Sequence, residues 1–224
     1  MRHEYQHHLS RCCEQHGFTL SEEQCERLAQ YVQLLVQGRR HMNLTGLRDP
    51  ERLIDTLVAE SLDFFRGDFL TSPARVLDLG TGAGVPGVTL AVCEPRLHLT
   101  LLDRSQKKMT FLRRVVAALR LQNCTLLTAS AEELAQRLRP DDRFDAVVAR
   151  GVGSIALVLT LAAPLLRSGG VLLLRKPHQT PELEEAASLL ATGAWQGIRT
   201  VSLPPSAHMA WVLLGITRSA GALD

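Results

Sequence analysis

The sequence predicts an α/β fold: a doubly wound, mostly parallel seven-stranded sheet with helices on both faces and an N-terminal helical extension. Three observations predict it. From residue 75 onward, short apolar runs alternate with segments of helical period, the pattern of a parallel sheet. Residues 75–87 run from an apolar strand through a glycine-rich turn into a helix start. The first 67 residues carry helical periodicity and no strand signal. The expected organisation is a helical extension over 1–67 and a sheet domain over 68–224.

In the extension, residues 3–16 read as an exposed polar helix. His3 and His7 would share a face of it, but no third ligand is evident, so no metal site is expected. Ser21 with Gln24 forms a capping box that opens a second helix. That helix carries Leu28, Tyr31, Val32 and Leu35 and closes at Gly38. A polar connector follows, with Arg39, Arg40, Asn43 and Thr45. Asp49 and Pro50 are an N-cap and first-turn pair. The helix they start presents Leu53, Ile54, Leu57, Val58, Leu62 and Phe65 on one side and ends at Gly67.

Five strands are expected at 75–79, 97–102, 124–127, 144–149 and 171–174, with two more near 198–202 and 210–216. Helices are expected between them, near 86–93, 106–119, 132–138, 154–166 and 181–190. Gly169 and Gly170 are expected to break the helix before the fifth strand.

Composition narrows the function classes. The apolar fraction of 46% suffices for a sizeable core, and the net charge of +2 does not announce a nucleic-acid binder, so any RNA contact must come from local patches. No run of 18 apolar residues occurs, and the first residues lack a hydrophobic signal segment. Five cysteines without a C-x-x-C spacing suggest free thiols in a reducing cytoplasm rather than a disulfide or zinc framework.

In doubly wound sheets, ligands bind at the carboxyl ends of the strands near the switch point. The residues expected there are Asp78, Asp103, 129–132, Arg150 and Lys176. Gly82, Gly84 and Gly87 satisfy the dinucleotide spacing G-x-G-x-x-G. Asp78, just before the turn, argues against a pyrophosphate, because a carboxylate there would repel it. The same carboxylate favours a cationic ligand such as S-adenosylmethionine (AdoMet). Asp103 is placed to accept both ribose hydroxyls of an adenosyl group or else to cap a helix, and Ala131 and Glu132 flank the adenine unless Glu132 is only a favourable charge in a first helical turn. The fourth strand ends in Ala149, Arg150, Gly151, with neither an amine-gripping N-P-P-Y turn nor a Pro–Cys nucleophile. It offers a cation that could fork onto a carboxylate, a phosphate or the O6 and N7 of guanine, with a structural salt bridge as the alternative reading.

These residues resemble a known family. Asn43, Leu44 and Thr45, the run Asp78 to Gly87, Leu102 and Asp103 followed by Lys107, Lys108, Phe111 and Leu112, the tip Ala149 to Gly151, and Leu174 to Lys176 together resemble the bacterial guanine-N7 methyltransferases of small-subunit ribosomal RNA, also called glucose-inhibited division protein B. Gly151 and Pro177 depart from the family's usual residues. The resemblance implies a Rossmann-like class I AdoMet methyltransferase fold, AdoMet as methyl donor, and N7 of a guanine in a small-subunit (16S) rRNA loop as acceptor. It implies cofactor contacts from Gly80, Val85, Ala131, Glu132 and Arg150. With the turn and strand-end residues, the expected cofactor set is Asp78, Gly80, Thr81, Gly82, Gly84, Val85, Asp103, Ala131, Glu132 and Arg150. Asn43, Arg150 and Lys176 are expected to hold RNA, with Arg150 positioning the acceptor and no general base. The expected partner is the rRNA or the 30S particle, met by a monomer away from membranes. Arg39, Arg40, Arg104, Lys107, Lys108, Arg113, Arg114, Arg120 and Arg175 would widen the basic footprint. A methyltransferase of another acceptor, a nucleotide-dependent oxidoreductase and a non-catalytic ribosome binder are the rival readings.

Overall fold

The computed structural model describes residues 2–39, 44, 46–47, 49–178, 181–185, 190–191, 193–206 and 209–220. Three helical segments come first: α1 (Arg2–Gln15), α2 (Glu22–Gly38) and α3 (Pro50–Leu53). Ser21 caps α2 through the expected box with Gln24, and Asp49 caps α3 with Pro50 in its first turn. The helix expected to run to Gly67 is regular only over its first turn. It widens to a π-helical turn at Ile54–Val58 and tightens to 3₁₀ geometry from Ala59. Gly67, at φ +76°, turns the chain toward the sheet.

The sheet contains β1 (Ala74–Leu79), β2 (Leu97–Asp103), β3 (Cys124–Thr128), β4 (Phe144–Ala149), β5 (Leu166–Pro177), β6 (Trp195–Ser206) and β7 (Met209–Arg218). The order is β3-β2-β1-β4-β5-β7-β6. β1 to β5 pair parallel, and β7 inserts antiparallel to both β5 and β6. The crossover helices are α4 (Gly87–Cys93), α5 (Gln106–Ala118), α6 (Ala131–Arg137) and α7 (Ile155–Ala162), and α8 (Glu182–Glu185) precedes β6. The expected helix over 181–190 runs partly outside the described residues.

Gly169 and Gly170 stand within β5 rather than before it. Gly169 is at φ +73°, and a Cβ on Gly170 would sit 2.9 Å from the Arg167 carbonyl oxygen. The β4–β5 register shifts here, between Phe144 and Ala146. The glycines therefore permit a bulge that lets the strand start at Leu166.

Each face of the sheet has its own core. The extension, α4 and α5 pack on one face around Leu28, Tyr31, Leu35, Phe64, Val88 and Leu112. α6 and α7 pack on the other around Leu77, Val147, Ile155, Leu159 and Leu172. Full burial of each such side chain contributes about 1.5–3 kcal/mol. Phe69 presses edge-on against Gly215 of β7, where a Cβ would overlap its ring. That contact seats the segment joining extension and sheet.

Candidate active site

Strand register builds the site. Leu79 of β1 pairs with Leu102 of β2 and with Ala149 of β4, and Ala149 pairs with Leu174 of β5. The next residues, Gly80, Asp103, Arg150 and Arg175, therefore fall in one row along the carboxyl rim, spanning the β1/β4 switch point.

The glycine turn uses its glycines in two ways. Gly80, Gly82 and Gly84 have φ of +69°, +59° and +102°, in the left-handed region that favours glycine. A Cβ on Gly80 would strike Val152 at 2.8 Å, and one on Gly84 would strike Val88 at 2.6 Å and Leu112 at 2.9 Å. On Gly87 it would overlap Leu101 and the Asp78 carboxylate. These three pack the turn against the loop after β4, against α4 and α5, and against β1 and β2. Gly82 differs, because its Cβ would meet nothing nearer than the Gly80 carbonyl at 3.8 Å, so its bare face is open. Tyr31 of α2 donates its hydroxyl to the Ala83 carbonyl at 2.9 Å, which ties the extension to the turn.

Asp78 corrects the electrostatic reading of the sequence. Its carboxylate does not face the ligand space. It is fully buried, and Oδ2 accepts from the Thr81 hydroxyl at 2.6 Å and the Gly87 amide at 2.8 Å. Oδ1 is buried with no partner. Burial pushes its pKa up to about 7, against the pull of those two donors and with a further push from Asp103. Asp78 is therefore a brace that closes the turn and starts α4. The acid next to the open turn is Asp103, at the end of β2. Its Oδ2 accepts from the Gly82 amide at 3.0 Å and faces Lys108 at 3.4 Å, while Oδ1 accepts from the Ser105 amide at 2.8 Å. Val85 is buried beside the turn. Ala131 is buried and Glu132 exposed at the start of α6, which Ser130 and Glu133 close as a capping box.

Arg150 is held on arrival. It donates Nη1 to the Thr56 carbonyl at 2.5 Å and Nη2 to Glu60 Oε2 at 2.6 Å. Burial lowers its pKa, and Glu60 opposes that. Arg175 reaches the same Glu60 oxygen at 3.1 Å, donates Nε to Asp63 at 3.2 Å and stacks 4.1 Å over the Trp211 ring. Asp63 also meets His16 at 3.4 Å and Arg66 at 3.2 Å. Burial alone would raise the Asp63 pKa, but His16 and Arg175 outweigh it and hold the carboxylate below its ordinary range. Two arginines side by side on the rim thus require Glu60 and Asp63 from the extension. Lys176 is also paired, at 2.6 Å from Glu182, whose carboxylate caps α7 at the Ile155 amide.

A cleft of ≈ 430 Å³ opens over these groups. Thr56, Glu60, Arg150, Gly151, Lys176 and Trp211 are among the residues that line it. It couples an apolar aromatic wall to three cations whose partners come from the extension and from α8. Arg175, 6% exposed, is withdrawn from the basic surface expected of it. Arg104, Lys107, Arg113, Arg114 and Arg120 are exposed. Arg40 and Asn43 lie outside the described residues. Sequence reasoning missed Tyr31, Thr56, Glu60, Asp63 and Trp211. The available signal was Glu60 and Asp63, two acids set among Leu62, Phe64 and Phe65.

A seven-stranded sheet of this order, with a glycine turn after β1 and an acid at the end of β2, defines the Rossmann-like methyltransferase class. The chain superposes on Aeropyrum pernix fibrillarin, solved with natively bound S-adenosyl-L-methionine, with a TM-score of 0.52 and 17% identity, covering 69% of this chain and 71% of that one. Residues 24–205 match the family described as rRNA small subunit methyltransferase G, and the chain belongs to that family. It is 40% identical over 160 residues to ribosomal RNA small subunit methyltransferase G of Deinococcus radiodurans, covering 71% of this chain and 63% of that protein. It is 34% identical over 191 residues to the protein of the same name from Lachnoclostridium phytofermentans, covering 84% and 79%.

Proposed function

We propose that the chain transfers a methyl group from S-adenosylmethionine to N7 of a guanine in a loop of small-subunit ribosomal RNA. One observation carries this beyond family membership. The strand register sets an open glycine face, an adenosyl-type acid and a cation-lined cleft in one row along the rim.

The residues present fit the donor. The bare face of Gly82 admits a ligand against backbone, with Gly80, Thr81, Gly84 and Val85 forming the turn. Asp103 stands ready for ribose hydroxyls once Lys108 gives way, and Ala131 and Glu132 flank the adenine side. When bound, the donor supplies an electrophilic methyl on a sulfonium. Asp78 contributes indirectly, by fixing the turn.

Guanine N7 has a lone pair in the ring plane, so no side chain need remove a proton before attack. The chain's task is to place that atom in line, an effect worth up to about 7–11 kcal/mol in well-oriented cases. Arg150 projects from the tip of β4, held from behind by Thr56 and Glu60. It presents its remaining donors to the acceptor base or a flanking phosphate. Trp211 offers an apolar edge, and Lys176 turns to RNA by leaving Glu182. Asn43 belongs to the same expected RNA contact. Residues 1–67 act as the extension that sets this cleft, and 68–224 as the methyltransferase domain. The expected setting is the cytoplasm. No helix among the described residues is long and apolar enough to cross a membrane.

The test is methyl transfer from isotope-labelled donor to small-subunit particles and to naked rRNA, both from a strain lacking the modification, with the product mapped by mass spectrometry. Label at a single guanine N7 is expected. Label at a base carbon or an exocyclic amine, or no transfer to either RNA form, would overturn the reading.

A further inference from the structure

A second cluster of chemistry-bearing side chains lies in the extension, away from the cleft. His8 and Cys12 are four residues apart on α1 and share a face of it. Asp55, in the π-helical turn, reaches across to both. Its Oδ1 lies 2.9 Å from His8 Nε2 and 2.7 Å from Cys12 Sγ, and those two atoms are 3.4 Å apart. All three donor atoms lie within 4.8 Å of one another. Three ligand atoms around a tetrahedral zinc-class ion, with bonds of about 2.0–2.3 Å, stand roughly 3.3–3.6 Å apart. The cluster is therefore a slightly contracted version of a metal triad.

The donor set is mixed. A thiolate, an imidazole and a carboxylate suit a borderline-soft divalent ion and do not suit magnesium or calcium. A cavity of ≈ 400 Å³, lined also by Arg11, Gln15, His16 and Pro205, opens on the cluster and leaves room for water in a fourth position. The Asp55 side chain is 51% exposed, so an ion has a way in.

We propose that His8, Cys12 and Asp55 bind one zinc-class divalent cation that staples α1 to the π-helical turn. The protons balance simply. Without the ion, Arg11 stands 3.0 Å from His8 Nδ1, so Nδ1 accepts and Nε2 carries the proton toward Asp55. On binding, the Cys12 thiol proton leaves to solvent, and the imidazole proton moves to Nδ1 as the exposed Arg11 swings aside. Two ligand charges then neutralise the ion. The staple bears on the cleft, because the residue after Asp55 is Thr56, whose carbonyl holds Arg150.

The test uses full-length, chelator-stripped protein titrated with Co²⁺ and then Zn²⁺. Expected are one ion per chain, a thiolate-to-cobalt charge-transfer band with tetrahedral visible bands, and their loss when Zn²⁺ is added. Cys12→Ser should abolish the charge-transfer band. Asp55→Asn, a change at a half-exposed side chain, should keep the parent chain's circular-dichroism spectrum, weaken Zn²⁺ binding by roughly 100-fold and remove the rise in Tm expected when Zn²⁺ is added to the parent chain. A band that persists in Cys12→Ser, or Zn²⁺ binding unchanged in Asp55→Asn, would place the ion on other residues. Absence of any band would leave the three side chains as a hydrogen-bonded cluster only. Each of these results overturns the proposal.

Discussion

Arg150 and Glu60 meet at 2.6 Å across 90 residues of sequence, and the same Glu60 oxygen lies 3.1 Å from Arg175. One carboxylate from the extension thus neutralises two guanidinium groups from neighbouring strands. The pairing is asymmetric, and so are the expected effects of breaking it. Glu60→Ala leaves Arg150 and Arg175 adjacent and poorly neutralised, and should cost about 3–5 kcal/mol of stability. Arg150→Ala leaves Glu60 paired to Arg175 and should cost only about 1–3 kcal/mol. If Arg150 positions the acceptor as proposed, Arg150→Ala should nevertheless lower methyl transfer by about 100-fold. Urea denaturation and initial rates on both variants check the order. Equal destabilisation, or normal turnover in Arg150→Ala, would remove this account of the site.

The fold was legible because its signals are local. Apolar runs, glycines after strands, and caps such as Ser21 with Gln24 report on their own few residues, and all seven expected strands are present, although β5 begins at Leu166, inside the span expected to be helical. The rim positions of Asp103 and Arg150 were legible for the same reason. What side chains do there was not. The orientation of Asp78 is decided by Thr81 and by the Gly87 amide nine residues on, and that of Lys176 by Glu182. The partners of Arg150 come from the extension, 90 and 94 residues away, so no spacing rule connects them. His3 and His7 share a face of α1 but were expected to hold no metal, and no spacing rule joins His8 and Cys12 to Asp55, with which they converge.

The buried Asp78 should give stability a recognisable pH dependence. Its pKa is raised in the folded state, from an ordinary 3.8 to about 7. The folded chain therefore holds this proton more tightly than the unfolded chain does. The contribution is fully present below pH 3.8 and is lost as pH rises to about 7. Asp63 acts in the opposite sense, because its pKa is lowered and its contribution is lost as pH falls through the acid range. Asp78→Asn mimics the protonated carboxyl. Its stability relative to the parent chain should rise between about pH 4 and 7 and level off above. Denaturation curves across that range decide it, and a flat difference would mean that Asp78 titrates normally.

The glycines of the turn should separate packing from binding. Gly87→Ala drives a Cβ into Leu101 and the Asp78 carboxylate, which have backbone and core behind them. A loss of about 1–3 kcal/mol is expected, from overpacking alone. Gly82→Ala meets open space and pays only for its φ of +59°, about 1–2 kcal/mol. The added methyl would instead stand on the face assigned to the donor. Calorimetry with AdoMet should show a larger loss of affinity in Gly82→Ala than its stability loss explains. Unchanged affinity would move the donor off this turn.

Tyr31 tests whether the extension pre-forms the turn. Its hydroxyl is fully buried and donates to the Ala83 carbonyl, in the middle of the glycine run. Tyr31→Phe keeps the ring packing and deletes only this bond, at an expected stability cost of about 1 kcal/mol. Without the tie the turn samples more conformations, and donor binding must select the competent one, so KM for AdoMet should rise by up to about tenfold. Once the donor is bound the turn is held by its ligand, and kcat at saturating donor should stay near that of the parent chain. A fall in kcat with KM unchanged would instead place the effect of α2 on the acceptor side, through the helical segment that carries Thr56 and Glu60.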